Sequence, residues 1–184
     1  MKIEWKDADW FAQKGEVLQA GWIDTEFGDA LAVMEGDHIV GLGFAEEKGR
    51  KAVEEMLLGQ YGEREIKMVD LSDKARLIMS ANVPARLATS EKHREVLSGL
   101  CDLGASGTPT YAELGEQIGW GKGAGLAIGG ALGANRVCWL IPCHRVLKAA
   151  PKGDNKPVLG NYRWGPKVKH AMLDYEGLGD HYSQ

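Results

Sequence analysis

Long apolar runs are missing from this 184-residue chain. No stretch approaches the roughly 18 to 20 residues that a membrane-crossing helix needs. The opening Met1-Lys2-Ile3-Glu4-Trp5-Lys6-Asp7 leads into no signal-peptide core, so the expected location is cytoplasmic. Cysteine is scarce as well. Cys101, Cys138 and Cys143 are odd in number and lack paired CxxC spacing, which argues against a disulfide framework and a structural zinc site and leaves at least one thiol free. A phosphate-loop fingerprint is absent too. Gly119, Gly121, Gly123 and Gly125 lead into a helical segment, but they lack the strand that a dinucleotide fingerprint requires, and Lys122 is followed by glycine rather than serine or threonine.

What is present suits a folded globular chain: 44% hydrophobic and 26% charged residues, at a length that holds one domain or two small ones. The net charge of −4 argues weakly against a protein that coats nucleic acid, yet the charge is segregated. Between Cys143 and His170, Arg145, Lys148, Lys152, Lys156, Arg163, Lys167 and Lys169 stand against Asp154 alone, a surplus of +6, while the remainder carries −10. Screening confines charge effects to about 10 Å at ordinary salt, so a local basic field attracts phosphates even on an acidic chain. On charge alone, a solvated basic face is the simpler reading.

The first part of the chain reads as strands followed by a helix. Val17 to Val33, the turn Glu35-Gly36-Asp37, and Ile39 to Phe44 form a hairpin pattern. Lys48 to Tyr61 then carries Val53, Met56, Leu57 and Tyr61 at helical spacing, completing an α+β scaffold with no evident chemistry. Asn82-Val83-Pro84 breaks the pattern and predicts a boundary, with one domain over 1–84 and a second over 85–184. The second part is helical. Ser90 to Leu103 puts Val96, Leu97, Leu100 and Leu103 on one face, and Thr110-Tyr111-Ala112-Glu113 has the spacing of a capping box that starts a helix running to about Ile118. After a glycine turn, Ala124 to Leu132 predicts a third helix, so the segment reads as helix-turn-helix. Each helical glycine costs about 1 kcal/mol relative to alanine. Their concentration there implies close backbone approach, either to another helix or to a nucleic-acid groove.

Val137-Cys138-Trp139-Leu140-Ile141 reads as a strand that Pro142 stops, leaving Cys143 at a strand exit beside His144 and Arg145. A neighbouring imidazole or guanidinium favours the thiolate, the nucleophilic form of cysteine. A buried structural cysteine fits the same pattern.

The run Ile141-Pro142-Cys143-His144-Arg145-Val146 resembles the O6-alkylguanine-DNA alkyltransferases, the methylated-DNA-protein-cysteine methyltransferases. Thr110-Tyr111-Ala112-Glu113-Leu114, Ala127-Ile128-Gly129-Gly130-Ala131-Leu132, Asn135, Gly160-Asn161-Tyr162-Arg163-Trp164-Gly165 and Glu176 extend the resemblance over about Ser90 to Gly177. It implies an α+β protein with a small N-terminal α/β domain of ribonuclease H-like type and a C-terminal winged helix-turn-helix domain. It also implies DNA repair by irreversible, one-time transfer of the alkyl group from guanine O6, or thymine O4, to Cys143. A second reading is an alkyltransferase-like lesion binder that flips the damaged base and recruits other factors without reacting.

In the transferase reading His144 accepts the thiol proton through a bridging water, Glu176 orients His144, Asn135 holds the turn, and Tyr111 donates to the guanine ring. Val146, Tyr162 and Arg163 contact the substrate. Leu126, Ala127, Gly129, Gly130, Lys122 and Arg145 contact DNA, with the second helix of the pair in the minor groove. Leu126 stands where relatives place an arginine finger, so the wedge that fills the vacated base position is here a leucine. The resemblance implies no cofactor and a monomer on double-stranded DNA. A zinc site of the kind some relatives carry in their first domain lacks cysteine ligands in this chain, so no metal is expected.

Overall fold

The computed structural model describes residues 1–12, 15–104 and 107–183. The chain divides into two compact units, one made of Met1–Ser90 with Arg136–Leu140, the other of Glu91–Asn135 with Ile141–Gln184.

The first unit is built on a six-stranded sheet, β1 (Ile3–Lys6), β2 (Leu18–Ile23), β3 (Ala30–Glu35), β4 (His38–Phe44), β5 (Ile66–Met68) and β6 (Ala85–Ala88), in the order β1-β6-β4-β3-β2-β5. The β2, β3 and β4 neighbours are antiparallel, whereas β1–β6, β4–β6 and β2–β5 are parallel, so the sheet is mixed. The β3–β4 hairpin turns at Gly36-Asp37 as its sequence predicts, with Gly36 in the left-handed region. The Val17–Val33 arm is two strands rather than one. Thr25 breaks it by accepting from the Phe27 amide at 3.1 Å and donating to the Gly28 carbonyl at 2.6 Å, a side-chain turn that competes with the ladder. Every residue of β3 is buried, which explains its run of apolar residues.

Helix α1 (Arg50–Leu58) buries Val53 and Leu57 at helical spacing, and a single 3-10 turn carries Tyr61 into the core, where its hydroxyl donates to the Val40 carbonyl at 2.9 Å. A short helix α2 (Ala75–Met79) precedes β6. Buried Glu35 is bridged by Arg64 and Arg86.

The strand expected over Val137–Ile141 is not formed. Val137 makes an isolated bridge to Leu42, and Trp139 takes a φ of 77°, which no strand accommodates. The ring explains the detour. Trp139 packs against Phe27 with ring centroids 4.8 Å apart and planes tilted by 54°, and its indole N–H donates to the Met79 carbonyl at 2.8 Å, so tertiary packing outweighs local strand preference.

The second unit contains α3 (Glu91–Cys101), α4 (Tyr111–Gln117), α5 (Gly125–Gly133) and α6 (Pro166–Tyr175). The α3 helix buries Val96, Leu97 and Leu100 of the stripe its spacing predicts, whereas Leu103 lies past its end and is half-buried. At the start of α4 the capping box is complete: Thr110 accepts from the Glu113 amide at 3.3 Å, and Glu113 accepts from the Thr110 amide at 2.7 Å. The turn into α5 uses Gly119 and Gly121, both at φ 77°. Gly115 lets that turn close, since a Cβ there would stand 2.5 Å from the Gly121 carbonyl oxygen. Isolated bridges join Thr110 to Leu147, Lys148 to Val158, and Val158 to Ser183. They fix the segments on either side of α6, and Leu147, Leu173, Leu178 and Tyr182 form a small apolar cluster beneath them. Among the described residues, no helix is long and apolar enough to cross a membrane.

Candidate active site around Cys143

Pro142 precedes a single 3-10 turn, Cys143–Arg145, closed by the Arg145 amide on the Pro142 carbonyl at 3.0 Å and the Val146 amide on the Cys143 carbonyl at 3.4 Å. The turn aims three successive side chains at different neighbours. Cys143 is 6% exposed and His144 is fully buried. Asn135, itself buried, donates its side-chain amide to the Ile141 carbonyl and to the Cys143 sulfur, both at 3.1 Å. One amide thus ties the end of α5 to the turn and supplies a donor to sulfur. The Tyr162 hydroxyl lies 3.9 Å from the same sulfur and 3.8 Å from the Met172 sulfur.

His144 Nε2 and Glu176 Oε2 are 3.0 Å apart. An ionised carboxylate only accepts, so the imidazole proton resides on Nε2 and the neutral ring keeps its lone pair on the buried Nδ1. Burial lowers the His144 pKa, and the positive charges of Arg145 and Lys169 add to the effect, although Glu176 opposes them. At neutral pH the ring is therefore a base. Burial alone would raise the Glu176 carboxyl, but hydrogen bonds from His144 and Arg145 outweigh it and bring the pKa to about 2. The arrangement is a thiol, a neutral imidazole on the same turn, and a permanently ionised carboxylate behind the imidazole, the parts from which activated nucleophiles are made.

Tyr111 is half-buried at the start of α4, along the Gly125 and Gly129 side of α5, where added Cβ atoms would meet it at 3.7 and 3.8 Å. Its pKa is raised, first by burial and then by the charge of Cys143, so the phenol remains a proton donor near the sulfur. Leu126 is 93% exposed, with Ala127 and Gly130 exposed beside it and Gly129 half-exposed. No atom lies within 4 Å of a Cβ built on Gly130, so close internal packing does not account for that glycine. Lys122 is exposed, 3.5 Å from Glu116.

Two expected residues point elsewhere. Arg145, expected on the DNA face, is drawn inward by Glu176, which it meets with two hydrogen bonds at 2.8 and 2.6 Å, and it also donates to the Gly104 carbonyl at 2.6 Å. Arg163, expected at the substrate, donates to the Gly133 carbonyl at the C-terminus of α5, where carbonyls left without helical partners attract cations. Lys169, counted in the basic segment, is 1% exposed and donates to the Val146 carbonyl at 2.7 Å. Its signal was available in the sequence: it falls between Val168 and Met172 on the stripe that α6 buries. Of the seven cations in this segment, Lys148, Lys152, Lys156 and Lys167 remain exposed. Among the described residues, no group of His, Cys, Asp and Glu is placed to hold a metal ion.

A helical unit that buries a cysteine on one turn with a histidine held by a carboxylate defines a class, proteins that gather a thiol, an imidazole and a carboxylate on a helical scaffold. The family described as 6-O-methylguanine DNA methyltransferase, DNA binding domain, matches residues 91–178. That match covers just under half of the chain, and over these residues the chain is similar to that family. A methylated-DNA-protein-cysteine methyltransferase of Candida albicans is 42% identical over 86 residues, 47% of this chain and 44% of that protein. The inducible methylated-DNA-protein-cysteine methyltransferase of Bacillus subtilis is 35% identical over 95 residues, 51% of this chain and 49% of that protein. The matched part thus spans less than half the length of these relatives. The crystal structure of Mycobacterium tuberculosis OGT in complex with DNA superimposes with a TM-score of 0.64 at 22% identity, covering 89% of this chain and 94% of that one, so the likeness of fold extends through both units.

Proposed function

We propose that this protein repairs DNA by moving the alkyl group of O6-alkylguanine irreversibly to the sulfur of Cys143. One observation carries the reading: the Cys143 sulfur receives an amide donor from Asn135 at 3.1 Å on the same turn as a buried histidine that Glu176 holds at 3.0 Å. The names of the Candida and Bacillus relatives support the same chemistry.

In this reading His144 takes the thiol proton at Nδ1 through a bridging water. The sulfur then attacks the alkyl carbon in line, the S–C bond forming as the C–O6 bond breaks, and the electron pair passes to guanine. Tyr111 donates a hydrogen bond to the purine ring where that negative charge develops. The proton lost from sulfur finally goes to guanine, so the transfer is neutral overall and consumes no cofactor. The thioether cannot revert, and each molecule acts once. The backbone at Cys143 and Val146 reads the exocyclic amine, and Tyr162 borders the base.

In this reading the helical unit acts as a winged helix-turn-helix domain and the sheet unit is of ribonuclease H-like type; the boundary expected at 84/85 moves to 90/91, because β6 pairs into the sheet, and Arg136–Leu140 return to the sheet unit. α4 and α5 are the helix pair, and Leu126, Ala127 and Gly130 form the face that enters the minor groove of duplex DNA. Leu126 is the wedge that replaces the extruded base, and exposed lysines hold phosphates. The protein works as a monomer in the compartment that holds the DNA.

The test is a mass measurement. After incubation with an O6-methylguanine duplex, one methyl group is expected on the peptide that contains Cys143, and none in Cys143→Ser. O4-methylthymine duplex tests the wider substrate range in the same way. Tight binding of the lesion without mass gain would refute transfer and favour a protein that marks lesions for other factors.

A further inference from the structure

Lys148, Lys152 and Lys156 sit on a stretch that cannot order itself. Lys148 to Lys156 are exposed except for half-buried Ala150, Pro151 and Pro157 have no amide to donate, and Gly153 takes a φ of 99°. The two arms meet at an isolated bridge, where the Lys148 amide donates to the Val158 carbonyl at 3.0 Å and the Val158 amide donates to the Lys148 carbonyl at 2.9 Å. A two-stranded hairpin without an apolar face is marginal in water, and fixing each of its residues costs conformational entropy.

The support comes from the segment after α6. The Ser183 amide donates to the Pro157 carbonyl at 2.8 Å and the Leu159 amide to the Ser183 carbonyl at 3.3 Å, so Ser183 brackets Val158 from the side opposite Lys148. Lys156 Nζ donates to the Asp180 carbonyl at 3.1 Å. That segment is itself pinned. Tyr182 is buried with Leu147, Leu173 and Leu178, and its hydroxyl meets His170 Nδ1. His170 Nε2 lies 3.3 Å from Asp174; the ionised carboxylate accepts from Nε2, which leaves Nδ1 to accept from the tyrosine. His181 Nδ1 lies 2.8 Å from the Thr108 hydroxyl. On the far side of the hairpin, the Leu147 amide donates to the Pro109 carbonyl at 2.9 Å and the Tyr111 amide to the Leu147 carbonyl at 3.3 Å. One ladder therefore runs from the start of α4, through Leu147–Lys148 and Val158, to Ser183.

We infer that Tyr182 and Ser183 are positioning residues for DNA binding: by adding a third strand to the Lys148–Val158 hairpin they hold Lys148, Lys152 and Lys156 in one array, fixed relative to α4, that meets the phosphates of a duplex. The Tyr182 ring anchors the strand in the apolar cluster, and the Ser183 backbone carries its register to Val158. Neither residue needs to touch DNA or the reacting atoms. Lysines on a chain already in place lose less entropy when they meet phosphate, so the bracing is expressed as affinity and not as rate of chemistry.

This inference rests on the DNA-binding part of the proposed function, and its test separates affinity from chemistry. Ser183→Pro deletes the amide that bonds Pro157, and the extended Tyr182 backbone, at φ −142° and ψ 165°, accepts a following proline without disturbing the buried ring. Affinity for an undamaged duplex, measured by fluorescence anisotropy, should fall about tenfold, and the slope of log K against log salt should fall by about 1. Methyl transfer from an O6-methylguanine duplex should slow in proportion at low DNA and return to the native rate at saturating DNA, while reaction with free benzylguanine stays within about twofold. Tyr182→Ala should act the same way, and Tyr182→Phe, which keeps the ring, should hold duplex affinity within about threefold of native.

Unaltered duplex affinity in Ser183→Pro, or equal slowing of the duplex and free-base reactions, would overturn the inference. Should Tyr182→Ala fail to fold, Ser183→Pro decides, because it leaves the apolar cluster intact. Weakened duplex binding in Ser183→Pro with no alkyl transfer by the native chain would sink the transfer reading alone; native transfer with duplex affinity indifferent to Ser183→Pro would sink this one alone.

Discussion

Replacing Glu176 with glutamine removes one charge and keeps the shape, which makes it the sharpest probe of the turn that carries Cys143. In the native protein the Glu176 carboxylate receives Arg145 at 2.8 and 2.6 Å and His144 at 3.0 Å, and its side chain is 13% exposed. Its pKa falls from 4.5 to about 2. At about 1.36 kcal/mol per unit that shift corresponds to roughly 3 kcal/mol, an upper bound that partial exposure and screening bring to about 2 kcal/mol. The sign follows from the direction. A carboxyl whose folded pKa lies below its unfolded value stabilises the fold in full above the unfolded value, and that contribution is lost as pH falls through the folded one.

Glu176→Gln should therefore unfold about 2 kcal/mol more easily than the native protein at pH 7. The gap should narrow below pH 4.5 and shrink to under about 1 kcal/mol at pH 2.5. Urea unfolding of both proteins at a series of pH values measures it. A gap that stays constant from pH 7 to pH 2.5, or widens in acid, would show that the carboxylate is not the stabilising partner of Arg145 and His144. Alkyl transfer by the variant should slow about 10- to 100-fold, because His144 loses the group that fixes its tautomer.

Three further outcomes follow from particular contacts. Leu126→Arg should speed repair of duplex DNA while hardly altering reaction with free benzylguanine, because residue 126 is 93% exposed and its proposed part is to replace an extruded base, which a free base does not require; equal acceleration of both substrates would contradict the proposed wedge. The affinity for DNA should fall with salt, and Lys148→Ala with Lys152→Ala should lower the slope of log K against log salt by about 2, whereas a flat salt response would deny these lysines any phosphate contact. Gly115→Ala should cost about 2 kcal/mol in urea unfolding, since its Cβ would stand 2.5 Å from the Gly121 carbonyl, and an unaltered midpoint would mean that the α4–α5 turn has room to spare.

Local chemistry was readable residue by residue. The Thr110–Glu113 capping box spans three positions, the β3–β4 hairpin turns on Gly36-Asp37, and the buried stripe of α3 repeats every three or four residues, so each is decided by neighbours in the chain. The Cys143-His144 pair was legible for the same reason. The Val137–Ile141 segment was misread because its apolar pattern says only that it is buried, while the Trp139 indole, meeting Phe27 and Met79 far away in the chain, decides its backbone.

Charge was the least legible property. A count of lysines and arginines cannot tell which cation stays in water, since that depends on which acceptor the fold delivers. Arg145 meets Glu176 from 31 positions away, Lys169 meets Val146 from 23, and Arg163 meets Gly133 from 30. Burial of an ion is favourable only when such a partner arrives, and only the tertiary structure brings it. The sequence by itself determined that a thiol and an imidazole stand side by side on a helical scaffold. The folded chain decided which charges surround them, because electrostatic energy depends on distance in space and on the water excluded between the groups.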